Sequence, residues 1–224
     1  MESDRLSRIS RTLAVFFVIY TLAGIPMADF YASNLVMPWN LFLAAVPLFF
    51  AARLKDNLEH SRRAGFMSLL WTALWLLFFP NSPYMLTDFI HIIDDQLFDG
   101  GETALYLSAN PDLAVWLKLV HIALGVLAGT LAGLLSLYIV HRLLISKKGT
   151  VLSAFAVAAI CVLSGFAVYI GRFLRLNTWD ILNPIKVFSR LSENLSLFAL
   201  QFSLLFALYV LASYLIFYFF YHRK

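Results

Sequence analysis

Six long apolar runs recur along the chain, and this pattern constrains its fold more than any other feature of the sequence. A transmembrane helix needs about 20 mainly apolar residues, and runs of roughly that length take up most of this chain. Hydrophobic residues make up 61% of the sequence and charged residues only 13%. A soluble domain is about half apolar and about a quarter charged. The sequence therefore predicts an all-α, polytopic transmembrane helical bundle of about six spans, embedded in a lipid bilayer.

The boundaries of the apolar runs set the predicted spans. They are 12–32, 37–52, 64–79, 113–140, 151–170 and 195–221. The second and third are short for a full crossing, and Pro47 interrupts the second, so a re-entrant or kinked arrangement of this pair is left open. Only short polar stretches separate the runs, and we therefore expect residues 1–224 to form a single integral membrane domain.

The basic residues predict how the chain is oriented. Short cytoplasmic loops are enriched in Lys and Arg, and four basic groups fall on one side of a six-span chain. These groups are Arg5, Arg8 and Arg11; Arg53, Lys55, Arg62 and Arg63; Arg142, Lys147 and Lys148; and Arg223 and Lys224. Both termini are therefore predicted to be cytoplasmic. Because the formal charge of +4 comes from these loops, it indicates membrane orientation, and nucleic-acid binding is not expected.

The segment 80–112 is predicted to lie on the outer side, since it contains acidic residues and no Lys or Arg. One later segment breaks the charge rule, because four basic residues follow span five on the same predicted outer side. They are Arg172, Arg175, Lys186 and Arg190. Attraction to the acidic segment is the simplest cause, and we expect the two segments to meet at the outer face of the membrane.

Span four carries a stripe of small residues at four-residue spacing, namely Gly125, Gly129 and Gly133. Such a stripe lets another helix approach closely. It predicts tight packing against a helix of this chain, of a second copy in a homo-oligomer, or of another membrane protein.

A first polar motif occupies residues 80–91. Pro80 ends span three, and a short amphipathic helix is predicted to follow at the outer interface, running to about Ile93. At about 100° per residue, one face of this helix carries its ionisable side chains. That face consists of Tyr84, Asp88, His91 and Asp95. Asp88 and His91 are candidate catalytic residues, and together with Asp95 they form a weak candidate metal site.

A second polar motif occupies residues 171–180, on the same predicted side. Arg172 and Arg175 lie three residues apart, so on a continued helix they can present paired donors to a carboxylate or a phosphate. Asn177 and Thr178 are typical of a turn or cap before Trp179 and Asp180.

The two motifs, Pro-Asn-x-Pro-Tyr-x-x-Thr-Asp-x-x-His and Gly-Arg-Phe-x-Arg-x-Asn-x-Trp-Asp, resemble those of the domain of unknown function 1361 family. The resemblance covers most of the chain and implies a multi-pass protein of the bacterial inner membrane. It implies no activity. The positions that match the family motifs are Asn81, Tyr84, Asp88, His91, Arg172, Arg175, Asn177, Trp179 and Asp180.

Three interpretations of these polar residues are left open. In the first, they form a structural network of salt bridges and caps, with or without a site for an anionic or lipid-linked ligand. In the second, the protein is an outer-face enzyme that uses Asp88 and His91 with the two arginines. In the third, the residues line the polar path of a transporter or channel. The sequence identifies no cofactor. Haem would require His121 or His141 to pair with another histidine, since these two lie about 30 Å apart on one helix.

A reporter that is active only in the periplasm tests the predicted topology. Fusions near Asp99 or Lys186 should be active, whereas fusions near Arg62 or Lys148 should be silent, because the loop charges place these pairs on opposite sides. A silent fusion at Lys186 would place the basic loop after span five in the cytoplasm and would rule out six crossings.

Overall fold

The computed structural model of the chain describes residues 2–24, 36–60, 65–95, 98–99, 108–109, 112–176 and 178–222. Apart from two strands of two residues each, the secondary structure of these residues is helical, which confirms the predicted all-α class. The helices are α1 (Glu2–Gly24), α2 (Val36–His60), α3 (Phe66–Phe78), α4 (Asn81–Tyr84), a first 3-10 helix (Met85–Asp95), α5 (Leu113–Lys148), α6 (Thr150–Phe173), a second 3-10 helix (Thr178–Leu182), α7 (Pro184–Asn194) and α8 (Leu197–His222). The strands β1 (Phe98–Asp99) and β2 (Ser108–Ala109) pair antiparallel.

Four of these helices are long and apolar enough to cross a membrane. The candidate membrane spans are Met37–Glu59, Leu113–Lys148, Thr150–Phe173 and Leu197–Tyr221. They correspond to the predicted second, fourth, fifth and sixth spans. The second is longer than predicted because α2 continues through Pro47 and ends only at His60.

The predicted third span is shorter in the structure, and the first is described only in part. Helix α3 has 13 residues, which cover about 20 Å at about 1.5 Å per residue, less than the roughly 30 Å of a hydrocarbon core. The apolar part of α1 is Arg11–Gly24, and residues 25–32 of the predicted span lie outside the described residues. The count of six crossings stays a prediction.

The chain forms two compact units, each built from two separate segments. Unit 1 comprises Met1–Phe42 and Met85–Ala128, and unit 2 comprises Leu43–Tyr84 and Gly129–Lys224. Helices α2 and α5 each contribute residues to both units. The first polar motif is also divided, since Tyr84 ends a segment of unit 2 and Met85 begins a segment of unit 1.

The core of unit 2 is built around the contact between α6 and α8. A Cβ atom on Gly165 would collide with the backbone carbonyl of Ser203 and lie 2.7 Å from the backbone nitrogen of Ala207, so only glycine permits this approach. A buried cluster of Tyr169, Leu174, Leu176 and Ala199 closes one end of the helix pair. Helix α7 packs on this cluster through Val187 and Leu191.

The glycine stripe of α5 is covered by side chains of the same chain. Within unit 1, a Cβ atom at Gly125 would collide with the hydroxyl of Tyr20. Within unit 2, a Cβ atom at Gly133 would collide with Ser82, whose hydroxyl donates a hydrogen bond of 2.8 Å to the carbonyl of Gly129. The close approach that the stripe predicts therefore occurs inside the chain, and binding to a second copy or another protein stays a prediction.

Substitution of Gly133 by alanine should destabilise the folded protein, because the new methyl group has to displace the buried Ser82. Overpacking of this kind typically costs about 1–3 kcal/mol. The unfolding midpoint in detergent should fall clearly for Gly133→Ala and little for Leu127→Ala, since Leu127 lies on the same helix with 56% of its surface exposed. Equal midpoints for the two variants would show that the contact with Ser82 does not contribute to stability.

Candidate functional site

Asn81 joins the first polar motif to the second. It begins α4 immediately after the turn at Pro80 and belongs to unit 2. Its side-chain amide donates a hydrogen bond of 2.9 Å to the carbonyl of Phe78, which holds the turn between α3 and α4. The same amide nitrogen lies 3.5 Å from the hydroxyl oxygen of Thr178, in the second motif. Asn81 thus fixes a local turn and reaches a residue 97 positions later in the chain.

Tyr84 provides a second contact between the two motifs in unit 2. A Cβ atom at Gly171 would lie 3.1 Å from Cε2 of the Tyr84 ring, so the ring rests directly on the backbone of α6. Gly171, the first residue of the second motif, therefore has to be small, because a larger residue would push the Tyr84 ring away. Asn81 and Tyr84 are both brought to the end of α6 by this arrangement.

The predicted α-helix after Tyr84 is wrong in type, because Met85–Asp95 form a 3-10 helix. With about three residues per turn, residues three apart lie above one another, so Met85, Asp88 and His91 share one line. Tyr84 does not belong to this line, contrary to the predicted ionisable face. The side chain of Asp95 lies outside what the structure describes. A 3-10 helix of 11 residues is unusually long, since such runs rarely exceed about four residues.

Asp88 lies on the buried side of this 3-10 helix. Its relative exposure is 1%, and its Oδ2 atom accepts a hydrogen bond of 2.9 Å from the side-chain amide of Asn40. Both residues belong to unit 1. His91 is partly buried. A carboxylate this well buried is protected by its hydrogen-bond partners, and it is not presented to solvent as the predicted amphipathic helix required.

Sequence reasoning missed Asn40. The signal was present, because Asn40 is the one strongly polar side chain in the apolar run from Met37 to Phe50. A polar residue inside a membrane span normally finds a partner within the protein. Its partner could not be named from the sequence, since Asp88 lies 48 positions away.

Arg172 and Arg175 lie at the end of α6 in unit 2. Arg172 is in the last turn of the helix and is partly buried, whereas Arg175 follows the helix and is exposed. Arg175 has φ 55, a left-handed conformation that is usually adopted by glycine at the end of a helix. Its neighbours Leu174 and Leu176 are both buried in the core of unit 2, so the backbone around Arg175 is held from both sides. The second motif is therefore not a continued helix, and the two arginines are not helical neighbours as predicted.

The remaining residues of the second motif form the second 3-10 helix, which follows Arg175 closely. Asp180 accepts a hydrogen bond of 2.6 Å from the ammonium group of Lys186, and the two form an ion pair. Trp179 is half exposed, and Asn177 lies outside the described residues. The predicted ligand candidate Asp180 thus already has a cationic partner on α7.

Sequence reasoning also missed α7 as an amphipathic helix. Val187 and Leu191 pack on the core of unit 2, while Ile185 and Phe188 are 82% and 74% exposed. Asn183 caps the helix by accepting a hydrogen bond from the backbone N–H of Lys186. The signal was the spacing of these apolar residues at three and four positions, in a segment that was interpreted as a charged loop.

Predictions about the ionisable residues remain open in two respects. Asp88 and His91 belong to unit 1, whereas Arg172 and Arg175 belong to unit 2, so the shared outer pocket stays a prediction. Among the residues that the structure describes, no group of three or more His, Cys, Asp or Glu side chains is arranged to hold a metal ion. The metal candidates Asp88, His91 and Asp95 therefore gain no support from this part of the chain.

The hydrogen bond between Asn40 and Asp88 can be tested with a double-mutant cycle. A hydrogen bond to a charged group contributes about 1.5–3 kcal/mol, so Asn40→Ala should lower the stability of the folded protein measurably. In the background of Asp88→Ala the same change should cost much less, because its partner is already absent. Free energies of unfolding that simply add would contradict a direct interaction between the two side chains.

Comparison with known proteins identifies the family of this chain. No curated protein and no solved structure matches the chain. The sequence model of a family described as a protein of unknown function (DUF1361) matches residues 39–213, a range that contains Asn40, both polar motifs and the glycine stripe of α5. Since this range covers well over half of the sequence, the chain belongs to the DUF1361 family of proteins of unknown function.

Proposed function

We propose that this membrane protein binds an anionic or lipid-linked ligand at the outer face of the bacterial inner membrane through Arg172 and Arg175. The observation that carries the proposal is the conformation of Arg175, an exposed side chain held at φ 55 at the end of α6. A left-handed conformation costs a non-glycine residue roughly 1–2 kcal/mol. Such strain is retained where the side chain has a task that glycine cannot perform.

The chemistry of the two arginines defines the ligand class. A guanidinium group presents planar, paired N–H donors that match the oxygens of a phosphate or a carboxylate. Asp180 in the same motif forms an ion pair with Lys186. The half-exposed Trp179 has the amphipathic ring that is common at membrane interfaces and suits a ligand whose anionic group is attached to a lipid.

The distribution of basic residues supports an outer-face site. Helices α5, α6 and α8 are apolar and long enough to cross, and the basic residues Lys147 and Lys148 end α5. By the positive-inside rule we place that end, together with both chain termini, in the cytoplasm. The opposite end of α6, where Arg172 and Arg175 lie, then faces outward.

The enzyme alternative has less support in the geometry. A general acid or base has to come within hydrogen-bond reach of its substrate, about 2.6–3.2 Å. Asp88 is 1% exposed and already accepts a hydrogen bond from Asn40. Asp88 would have to become exposed before it could contact a substrate, whereas Arg175 is already exposed. We therefore favour ligand binding over catalysis by Asp88 and His91.

Replacement of Arg175 by glycine separates ligand binding from a structural role. Because glycine adopts the left-handed conformation without strain, Arg175→Gly should stabilise the purified protein by about 1 kcal/mol, or about 2–4 °C in its midpoint. The same variant should lose binding of short-chain phosphatidic acid, measured as the ligand-induced rise in midpoint in a neutral detergent. Arg172→Lys should also weaken binding, since lysine keeps the charge but not the paired donors.

Three comparisons make this experiment decisive. Lys147→Gln removes a positive charge on the predicted cytoplasmic side and should leave binding unchanged. Short-chain phosphatidylcholine and inorganic phosphate distinguish an anionic lipid from a zwitterionic lipid and from a free anion. If wild type gains no stability from phosphatidic acid or phosphate, or if Arg175→Gly destabilises the protein and binds as wild type does, the proposal is wrong and the arginine has a structural role.

A further inference from the structure

Helix α7 exposes apolar side chains that the proposed arginine site does not use. Ile185 and Phe188 are both largely exposed. The second 3-10 helix, which is linked to α7 by the ion pair of Asp180 with Lys186, adds Leu182 with 85% of its surface exposed. Exposed apolar side chains that lie close together commonly mark contact with a membrane or with another protein.

The residues around α7 divide into an apolar side and a polar side. At about 100° per residue, Val187 and Leu191 point in nearly the same direction, and Phe188 and then Ile185 follow them around the helix. The apolar side therefore covers an arc of about 160°, of which Val187 and Leu191 occupy the part that packs on the core of unit 2. The opposite side of the helix consists of Lys186, Ser189, Arg190 and Glu193. This division is typical of a helix that lies in the plane of a membrane interface.

Contacts with α6 place α7 at the end of two candidate membrane spans. Helix α7 lies in the segment that joins α6 to α8, and both of these helices are candidate spans. The hydroxyl of Tyr169 in α6 donates a hydrogen bond of 2.8 Å to the carbonyl of Asn194, the last residue of α7. Tyr169 also belongs to the buried cluster on which α7 packs, and it lies four residues before the end of α6. Helix α7 therefore lies beside the last turns of α6 and does not project away from them.

The surroundings of α7 favour lipid as the partner of its exposed apolar side chains. Leu195 and Leu197, which directly follow α7 where α8 begins, are apolar and exposed as well. A leaflet that surrounds the ends of α6 and α8 also reaches α7, because α7 is held beside those ends. Lys186 and Arg190 on the polar side suit the phosphate groups of lipids, and their long side chains can extend to the headgroups while the helix lies deeper.

We propose that α7 docks into the membrane interface of the leaflet at this end of α6 and α8. Ile185 and Phe188 insert among the acyl chains of phospholipids, while Lys186 and Arg190 lie at the headgroups. Because α7 packs on the same buried cluster as the neighbours of Arg175, this docking also keeps the backbone of Arg175 at the level of the headgroups. The proposal is independent of ligand binding at Arg172 and Arg175, since neither side chain takes part in the docking.

Spin labels on single cysteines test this proposal. Cys161, the only cysteine of the chain, is buried and is replaced by alanine, so that Ile185→Cys, Phe188→Cys and Ser189→Cys each carry one thiol. The full-length variants are labelled with a nitroxide and reconstituted into vesicles of phosphatidylethanolamine and phosphatidylglycerol. The accessibility of each label to oxygen, which concentrates among acyl chains, is then compared with its accessibility to a water-soluble nickel chelate. The ratio of the two should be roughly threefold higher or more at positions 185 and 188 than at 189, because acyl chains exclude the chelate.

Ser189 is the matched control, because it is exposed, follows Phe188 directly and lies on the polar side of the same helix. Equal accessibility to the chelate at positions 188 and 189 would mean that Phe188 faces water, and the proposal would be wrong. Labels at 185 and 188 that neither reagent reaches would mean that protein covers these side chains, from a second copy, another protein or elsewhere in this chain. That result would overturn the proposal as well. If Phe188→Cys fails to fold, the label at position 185 decides between the same outcomes.

Discussion

The contact of Ser82 with the backbone of α5 is the interaction on which the candidate site in unit 2 depends. In a bilayer, polar groups have to find partners within the protein, since lipid tails offer none. The hydroxyl of Ser82 donates to the carbonyl of Gly129, and its side chain fills the space at Gly133 that any Cβ atom would occupy. One turn further along α5, Ser136 accepts a hydrogen bond of 3.2 Å from the indole of Trp75 in α3. These contacts fix the corner between α3 and α4, and that corner carries Asn81 and Tyr84 to the end of α6.

Most of the helical framework could be predicted from the apolar runs, but hydropathy marks lipid contact and not the ends of helices. Helix α2 shows the difference. Its predicted end at residue 52 is where the apolar residues stop, yet the helix continues for another two turns, in which Arg, Leu, Lys and Glu are good helix formers. Lys55 and Glu59 even form an ion pair of 3.7 Å at the spacing that supports a helix.

The geometry of the candidate site was predicted only in part, and the wrong predictions have physical causes. Asp88 and His91 share a face in both an α-helix and a 3-10 helix, so the sequence could not distinguish the two types, and Tyr84 was placed on the wrong face. The stripe of glycines in α5 indicated close packing, but the partners of Gly125 and Gly133 are Tyr20 and Ser82, which lie far away in the sequence. Side chains that meet only in the folded protein leave no periodic signal in one sequence. The conformation of Arg175 was equally unpredictable, because nothing local forbids the helix from continuing there.

The length of α5 has a consequence for how the protein sits in its membrane. Its 36 residues cover about 54 Å at about 1.5 Å per residue, while the hydrocarbon core is about 30 Å thick. Membrane helices tilt by about 20° on average and by no more than about 40°, which cannot absorb a difference of this size. Part of α5 therefore has to extend beyond the hydrocarbon, and its terminal residues Lys147 and Lys148 are suited to the headgroup region. These lysines limit how far the helix can slide along the membrane normal, so they also fix the depth of every residue that α5 carries.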